Sequence, residues 1–358
     1  MKFIQHLRYL LLPFAVLYGL VSSIRNLLFD FSIGNFRCKE YDLPIISVGN
    51  ITVGGTGKTP HTEWIIQLLK DAYNVSVLSR GYKRKTKGLV IADSSSTASD
   101  IGDEPMQMHN KFPEVQVVVA EQRVIGVDAI MKLETKCDVL LMDDAFQHRY
   151  VKPGFSILVM DYNRPFWKDH LMPVGELREL PVGKKRANII IVSKCPQDIS
   201  IAEQEYYKRK LSLNPNQSIF FTCVGYKNIY PIFADKKQSI NITDKSVLLV
   251  SGIAQPKLMF DYVSQLAKET KLMQFGDHHN FSAKDINNIE QQLNTLGDNA
   301  IIVTTEKDAV RFGELLPNNS KLAQNMYSLP IEIQIINNKE SDLKDKILNY
   351  VRSNKRIS

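Results

Sequence analysis

Residues 49–59 read Gly49, Asn50, Ile51, Thr52, Val53, Gly54, Gly55, Thr56, Gly57, Lys58, Thr59. Glycines at this density let successive backbone N–H groups turn toward one point and form a concave anion site. Lys58 has the reach to meet β- and γ-phosphates, and Thr59 offers a hydroxyl to magnesium. The chemistry is that of a nucleoside triphosphate site. Its candidate binding positions for ATP are Thr52, Val53, Gly54, Gly55, Thr56, Gly57, Lys58 and Thr59. Thr52 stands where the strict pattern has glycine, so the bend into the loop is expected at Gly49 or Gly54.

A triphosphate site needs acidic partners for Mg²⁺, and the chain offers two pairs. Asp143 and Asp144 end a short apolar run, residues 137–142. A carboxylate at the carboxyl end of a strand beside such a loop holds magnesium or its waters; capping of a following helix is the other use. Asp103 and Glu104 precede Pro105 in what reads as a loop near the strand ends. One of them could take a proton from an attacking hydroxyl while the other reaches the magnesium shell. An acidic pair before proline is equally a good helix start. Asp277, His278 and His279 form a third group. Adjacent histidines converge poorly on one ion, so a histidine that tunes a base carboxylate fits better than a metal ligand; a surface pair with no role is the plainer alternative.

These residues need elements to hold them. An apolar run at 43–48 leads into the loop, and Trp64, Ile65, Leu68 and Leu69 follow at helical spacing. Further β-branched runs lie at 74–78, 115–120, 139–143, 155–161 and 188–193, with a helical pattern over 121–134. Alternation of this kind predicts an α/β fold: a mostly parallel sheet covered on both faces, of P-loop NTPase type, with ligands at the carboxyl ends of the strands. Residues 218–235 read as two strands with a short polar interruption, a hairpin or paired linker. A second, smaller α/β unit is expected beyond it, with strands at 246–251 and 300–304. The expected division is 1–30 membrane-seeking helix, 31–217 P-loop unit, 218–235 linker and 236–358 smaller unit that closes the cleft.

The net charge of +7 favours acidic partners such as anionic lipid or phosphate. No nucleic-acid motif is present, so nucleic acid is not expected as a partner. Lys83, Arg84, Lys85 and Lys87 are either a solvated loop or a positive rim beside an anionic substrate. The four cysteines are widely spaced, with no Cys-x-x-Cys, which fits a reducing compartment. The sixteen residues between Arg8 and Arg25 are uncharged. As a helix they would span about 24 Å, short of the roughly 30 Å hydrocarbon core. A membrane anchor, spanning or lying in one leaflet, fits best; a cleaved export signal and a helix packed on the soluble part are the alternatives.

Taken in order, the string from Ser47 to Pro60, Arg80-Gly81-Tyr82, residues 102–105, residues 143–149, Asp277-His278 and residues 305–308 resembles tetraacyldisaccharide 4'-kinase, the lipid A 4'-kinase family of Gram-negative bacteria. The resemblance covers nearly the whole chain, Thr52 included. It implies transfer of the γ-phosphate of ATP to the 4'-hydroxyl of a tetraacyl glucosamine disaccharide 1-phosphate. It also implies the cytoplasmic face of the bacterial inner membrane, a membrane lipid as substrate, and no obligatory protein partner. By the same resemblance Asp103 is the base and His278 its partner. Thr59, Glu104, Asp143 and Asp144 surround Mg²⁺, and Arg80, Tyr82 and Arg178 meet the lipid phosphate or sugar. Gln147 and His148 belong to the motif without separate roles. A membrane-associated P-loop switch ATPase or metallochaperone is the competing reading; Val53 stands where such proteins carry a signature lysine.

Overall fold

The computed structural model describes residues 9–233, 238–253, 256–277, 279–317 and 320–354. In chain order the elements begin with helix α1 (Leu12–Asp30), strand β1 (Ile45–Gly49), α2 (Lys58–Leu69), β2 (Val75–Ser79), β3 (Val90–Ile91), α3 (Ala98–Ile101), α4 (Asp103–Lys111) and β4 (Gln116–Val119). They continue with α5 (Arg123–Ile130), β5 (Val139–Asp143), β6 (Phe155–Asp161), β7 (Ile189–Ser193), α6 (Ile201–Leu211), β8 (Ser218–Tyr226) and β9 (Tyr230–Pro231). The remainder is β10 (Ser246–Ser251), α7 (Lys257–Leu266), β11 (Glu269–Gln274), α8 (Ala283–Asn294), β12 (Ala300–Thr305), α9 (Glu306–Leu315), α10 (Lys321–Gln324), β13 (Met326–Leu329), β14 (Ile331–Ile335) and α11 (Glu340–Asn354).

Two sheets result. The larger has the order β14-β8-β7-β6-β1-β5-β2-β4-β3, and the smaller β11-β10-β12-β13-β9. The expected α/β architecture is the observed one. Its interior strands are parallel, and only the edge strands β3, β14 and β9 run antiparallel. The central strands of both sheets are mostly apolar because both faces are covered. In β5, Val139 and Leu141 face one core, which α2 and α11 complete with Ile66, Leu69, Ile347 and Val351. Leu140 and Met142 face the opposite core, where α5 adds Val127 and Ile130. The small sheet is sandwiched likewise, with Leu248 and Val250 toward α8 and Val247 and Leu249 toward α7.

Among the described residues of this stretch, 218–233, the two strands do not pair with each other. β8 pairs parallel with β7 and antiparallel with β14, whereas β9 pairs with β13 of the small sheet. The chain therefore crosses between the units twice, and the two crossings touch where Lys227 N donates to Pro330 O (3.0 Å). After the second crossing, β14 and α11 lie on the large unit. β14 covers what would be an exposed edge of β8, and α11 buries Leu343, Ile347 and Val351 in the large core. Edge pairing of that kind joins residues more than a hundred apart, beyond the reach of local patterning.

Helix α1 lies against the large unit by one face. Tyr18 Oη donates to Arg178 O (2.7 Å), Arg25 Nη2 to Gln147 O (2.9 Å) and Asn26 Nδ2 to Glu179 Oε2 (3.1 Å). Phe29 is buried edge-on against Phe36 and Tyr150, with the Arg25 and Arg149 guanidinium groups near its ring. The other face leaves Phe14, Val16, Leu17, Leu20 and Val21 more than half exposed.

Candidate active site

β1 lies between β5 and β6, and its register sets Val48 beside Asp143. The carboxyl ends of these strands open on one side of the sheet, and the glycine loop leaves from the middle of it. Gly49 is held so close to Phe146 that a Cβ would meet its Cβ at 2.7 Å and its N at 2.8 Å. The chain then runs extended: Thr52 bridges Leu177, Val53 N donates to Glu176 O (2.8 Å) and Arg178 N to Ile51 O (2.8 Å). This pairing explains why Thr52 needs no glycine. The turn comes later, at Gly54 and Gly57, whose φ angles are +91° and +90°. Of the two expected bend points, Gly54 makes the turn and Gly49 makes the close approach.

The loop is braced from beneath. Asn50 Nδ2 donates to Thr56 Oγ1 (2.9 Å), Ser193 Oγ donates to Thr56 O (2.6 Å), and Lys194 Nζ bonds Gly55 O and Asp161 Oδ2. His61 Nδ1 lies 2.7 Å from Gly57 O and its Nε2 3.0 Å from Thr222 Oγ1. A carbonyl only accepts, so Nδ1 carries the proton and Nε2 receives one from the threonine. Burial lowers His61 from 6.5 to about 4. The unfolded chain thus takes up a proton, as pH falls from 6.5 toward 4, that the fold refuses. Stability linked to His61 is complete above pH 6.5 and declines through that window by on the order of 3 kcal/mol. His61→Gln is expected to flatten the fall in Tm between pH 6.5 and 4; an unchanged slope would remove His61 as its source.

Lys58 starts α2, with Nζ 3.6 Å from Asp144 Oδ1; Thr59 follows half-buried in the same first turn. Arg178 Nη1 reaches the same Asp144 oxygen at 3.1 Å. Asp144 has a left-handed backbone, φ +44°, uncommon outside glycine and typical of strained functional positions. Burial pushes its carboxyl upward, but Lys58, Arg178 and Arg123 outweigh that and hold it below its ordinary value. Asp143 differs. It is fully buried; its Oδ1 accepts from Thr62 Oγ1 (3.0 Å), and its Oδ2 has no hydrogen-bond partner. Burial, with the charges of Glu104 and Asp144 added, raises it to about 7. A buried carboxylate oxygen without a hydrogen-bond partner, beside a phosphate loop, fits a divalent cation. Among the described residues no three His, Cys, Asp or Glu side chains converge on one ion. Magnesium commonly takes one or two protein carboxylates and completes its shell with water and substrate phosphates.

Asp103 and Glu104 are not in a loop. They form the first turn of α4, after Gly102. Asp103 is gripped by Arg311 of the small unit, with Arg311 Nε donating to Oδ1 at 3.0 Å and Nη2 to Oδ2. Glu104 lies 3.8 Å from Lys307 Nζ, which is also 3.7 Å from Asp277. His278 lies outside the described residues. Its neighbour His279 faces Asp285 at 3.1 Å.

Over residues 7–352 the chain matches the family model described as tetraacyldisaccharide-1-P 4'-kinase. It is 44% identical over 360 residues to the tetraacyldisaccharide 4'-kinase of Bacteroides thetaiotaomicron, covering 97% of this chain and 94% of that one. It is 43% identical to the Flavobacterium johnsoniae protein of the same name, covering 97% and 98%. The chain belongs to the tetraacyldisaccharide 4'-kinase family. A crystal structure of LpxK from Aquifex aeolicus in complex with ATP superposes with a TM-score of 0.73 at 29% identity, covering 96% of this chain and 99% of that one.

As a member of that family the protein is an enzyme, a phosphotransferase. The expected substrate residues differ in their surroundings. Arg80 and Tyr82 are exposed after β2, whereas Arg178 is held against Asp144. Gln147 acts within the scaffold: its Nε2 donates to Asn50 O (2.6 Å) and Glu179 Oε1 (2.8 Å). His148 is lowered to about 4 by burial and by the Arg123, Arg25 and Arg80 charges. Reading the sequence missed Asn50, Thr62, Arg123, Ser193, Lys194 and Arg311. Ser193 and Lys194 follow an apolar run, so the strand-end rule that found Asp143 could have found them too. Arg123 and Arg311 carry no such signal, being single arginines in ordinary helices.

Proposed function

We propose that this enzyme transfers the γ-phosphate of ATP to the 4'-hydroxyl of a tetraacyl glucosamine disaccharide 1-phosphate. The observation that carries this reading is the convergence of the glycine loop, Lys58, Asp143 and Asp144 on one side of the large sheet, in a chain of this family. The loop N–H groups and Lys58 hold the triphosphate. Thr59, Asp143, Asp144 and Glu104 are the candidates to hold Mg²⁺ directly or through water; bound there, magnesium neutralises charge on the β- and γ-phosphate oxygens. Asp103 takes the proton of the 4'-hydroxyl as its oxygen bonds to the γ-phosphorus and the bond to the β–γ bridging oxygen breaks, releasing ADP. His278 is proposed as partner of Asp103, and Arg80, Tyr82 and Arg178 as contacts for the acceptor's phosphate or sugar. Incubation of the purified protein with labelled ATP, Mg²⁺ and the lipid disaccharide tests the reaction. Label in the 4'-phosphorylated lipid is expected; ATP hydrolysis that answers only to a protein partner would favour the switch ATPase instead.

The same reading puts the enzyme at the cytoplasmic face of the inner membrane, where ATP and the lipid meet. α1 supports attachment within one leaflet. Its Tyr18, Arg25, Asn26 and Phe29 are engaged by the large unit, so that face is not free for lipid, while the opposite apolar face is. Replacing Leu17, Leu20 and Val21 together by serine is expected to weaken membrane partitioning by about a hundredfold or more, since each buried side chain contributes about 1.5–3 kcal/mol. Tm should change little, as these side chains are more than half exposed. Membrane sedimentation equal to the parent's would remove α1 as the attachment. Truncation before Asp30 is a poorer test, because it would also uncover the partners of Phe29.

A further inference from the structure

The helix that carries Asp103 and the helix that follows β12 belong to different units, and ion pairs tie them together. Lys111 Nζ, at the end of α4, bonds Glu63 (2.7 Å) and Glu306 (2.8 Å). Glu104, in the first turn of α4, lies 3.8 Å from Lys307 Nζ. Glu314 Oε1 accepts from Ala98 N at the start of the preceding α3. The best-buried contact is the Arg311–Asp103 pair, with side chains only 7% and 13% exposed. Lys111 is a point charge on a flexible stem; Arg311 is a planar fork that meets both oxygens of one carboxylate, which sets its orientation as well as its charge.

Arg311 is itself held from the small unit. Its Nη1 donates to His279 O (2.9 Å) and lies 3.5 Å from Asp308 Oδ1. Asp308 is anchored in turn, its Oδ2 accepting from Gly252 N (2.9 Å) and Thr305 Oγ1 (2.8 Å). A chain of bonds therefore runs from the ends of β10 and β12, through Asp308 and Arg311, to Asp103.

We infer that Arg311 is a positioning residue for phosphoryl transfer: carried on the small unit, it fixes and orients the carboxylate of Asp103, so that the proton acceptor is aligned only while the two units are engaged. This rests on the reading of Asp103 as that acceptor. Misplacing a reacting group by about 1 Å can lower a rate by about a hundredfold.

The test compares Arg311→Gln, Arg311→Lys and Asp103→Asn in the full-length enzyme, with ATP and the lipid disaccharide as substrates. The expected result for Arg311→Gln is a fall in kcat of about 10- to 100-fold, with KM for ATP within about twofold of the parent. Guanidinium at sub-denaturing concentration should restore part of that loss, and Arg311→Lys should fall between, since lysine supplies the charge without the fork. A structural role alone would give neither the kcat-specific loss nor the rescue. Arg311→Gln with parental turnover, alongside an inactive Asp103→Asn, would overturn the inference and leave Asp103 as acceptor. A loss spread over kcat and KM, with rescue by neither guanidinium nor Arg311→Lys, would overturn it as well. An active Asp103→Asn would overturn the acceptor reading itself and this inference with it.

Discussion

Asp103→Asn is expected to lower turnover by roughly 10²–10⁴-fold, the usual worth of a positioned general base, while ATP still binds. Asparagine keeps the shape of the side chain but cannot take the hydroxyl proton, and Asp103 lies on α4, apart in sequence from the glycine loop and Lys58. The substitution also removes the anionic partner of Arg311 in a pair that is nearly buried. Breaking such a pair by deleting one member costs about 3–5 kcal/mol when the remaining charge stays buried. A lower Tm should therefore accompany the lost turnover. ATP binding, measured by calorimetry at a temperature where the variant remains folded, separates the two effects. Turnover near the parental rate would remove Asp103 as the base.

Lys58→Ala acts at the other half of the site. Its ammonium lies in the first turn of α2, 3.6 Å from Asp144, at the mouth of the glycine loop. Removing it takes away the side-chain cation that would meet the β- and γ-phosphates and one of the charges that hold Asp144 ionised. The expected result is a loss in kcat/KM for ATP of roughly 10²–10³-fold, comparable with deletion of one preorganised charge-stabilising donor. Unlike Asp103→Asn, it should weaken ATP binding as well as turnover. Lys58 is about as buried as Asp103, but its partner Asp144 is 30% exposed and keeps Arg178 when the lysine is removed, so Tm should fall less than in Asp103→Asn. A variant that keeps parental kcat/KM for ATP would detach Lys58 from the phosphates.

The difference between these two variants follows from where each residue gets its environment. Lys58 belongs to a loop whose glycines, preceding strand and following helix lie within some thirty residues, so its chemistry is readable from spacing. Asp103 is read from spacing only as an acid before proline. Its partner Arg311 lies 208 residues away on another unit. No periodicity links the two, and only the packing of α4 on α9 brings them together. His278, the partner implied for Asp103 by resemblance, is outside the described residues, so its place beside the base stays a proposal.

The carboxylates at the end of β5 show the same division. An apolar run ending in two aspartates foretold both the strand and its position next to the loop, and β1 pairs with β5 as that requires. It did not foretell that the two acids differ. Asp143 is buried with one oxygen unpartnered and is raised to about 7, whereas Asp144 is held down by Lys58, Arg178 and Arg123. Charge state depends on burial and on neighbours drawn from four separate segments.

By itself the order of residues determined the glycine loop, the acid-tipped strand beside it, the alternating strands and helices, and an apolar amino-terminal helix. Each depends on residue types within ten or fifteen positions, where hydrophobic period and backbone preference act. The tertiary structure decided which face of α1 is occupied, why Thr52 is extended, that β14 and α11 return to the large unit, and that Arg311 holds Asp103. Those are settled by edge pairing, burial and ion pairs across long separations, which local patterning does not encode.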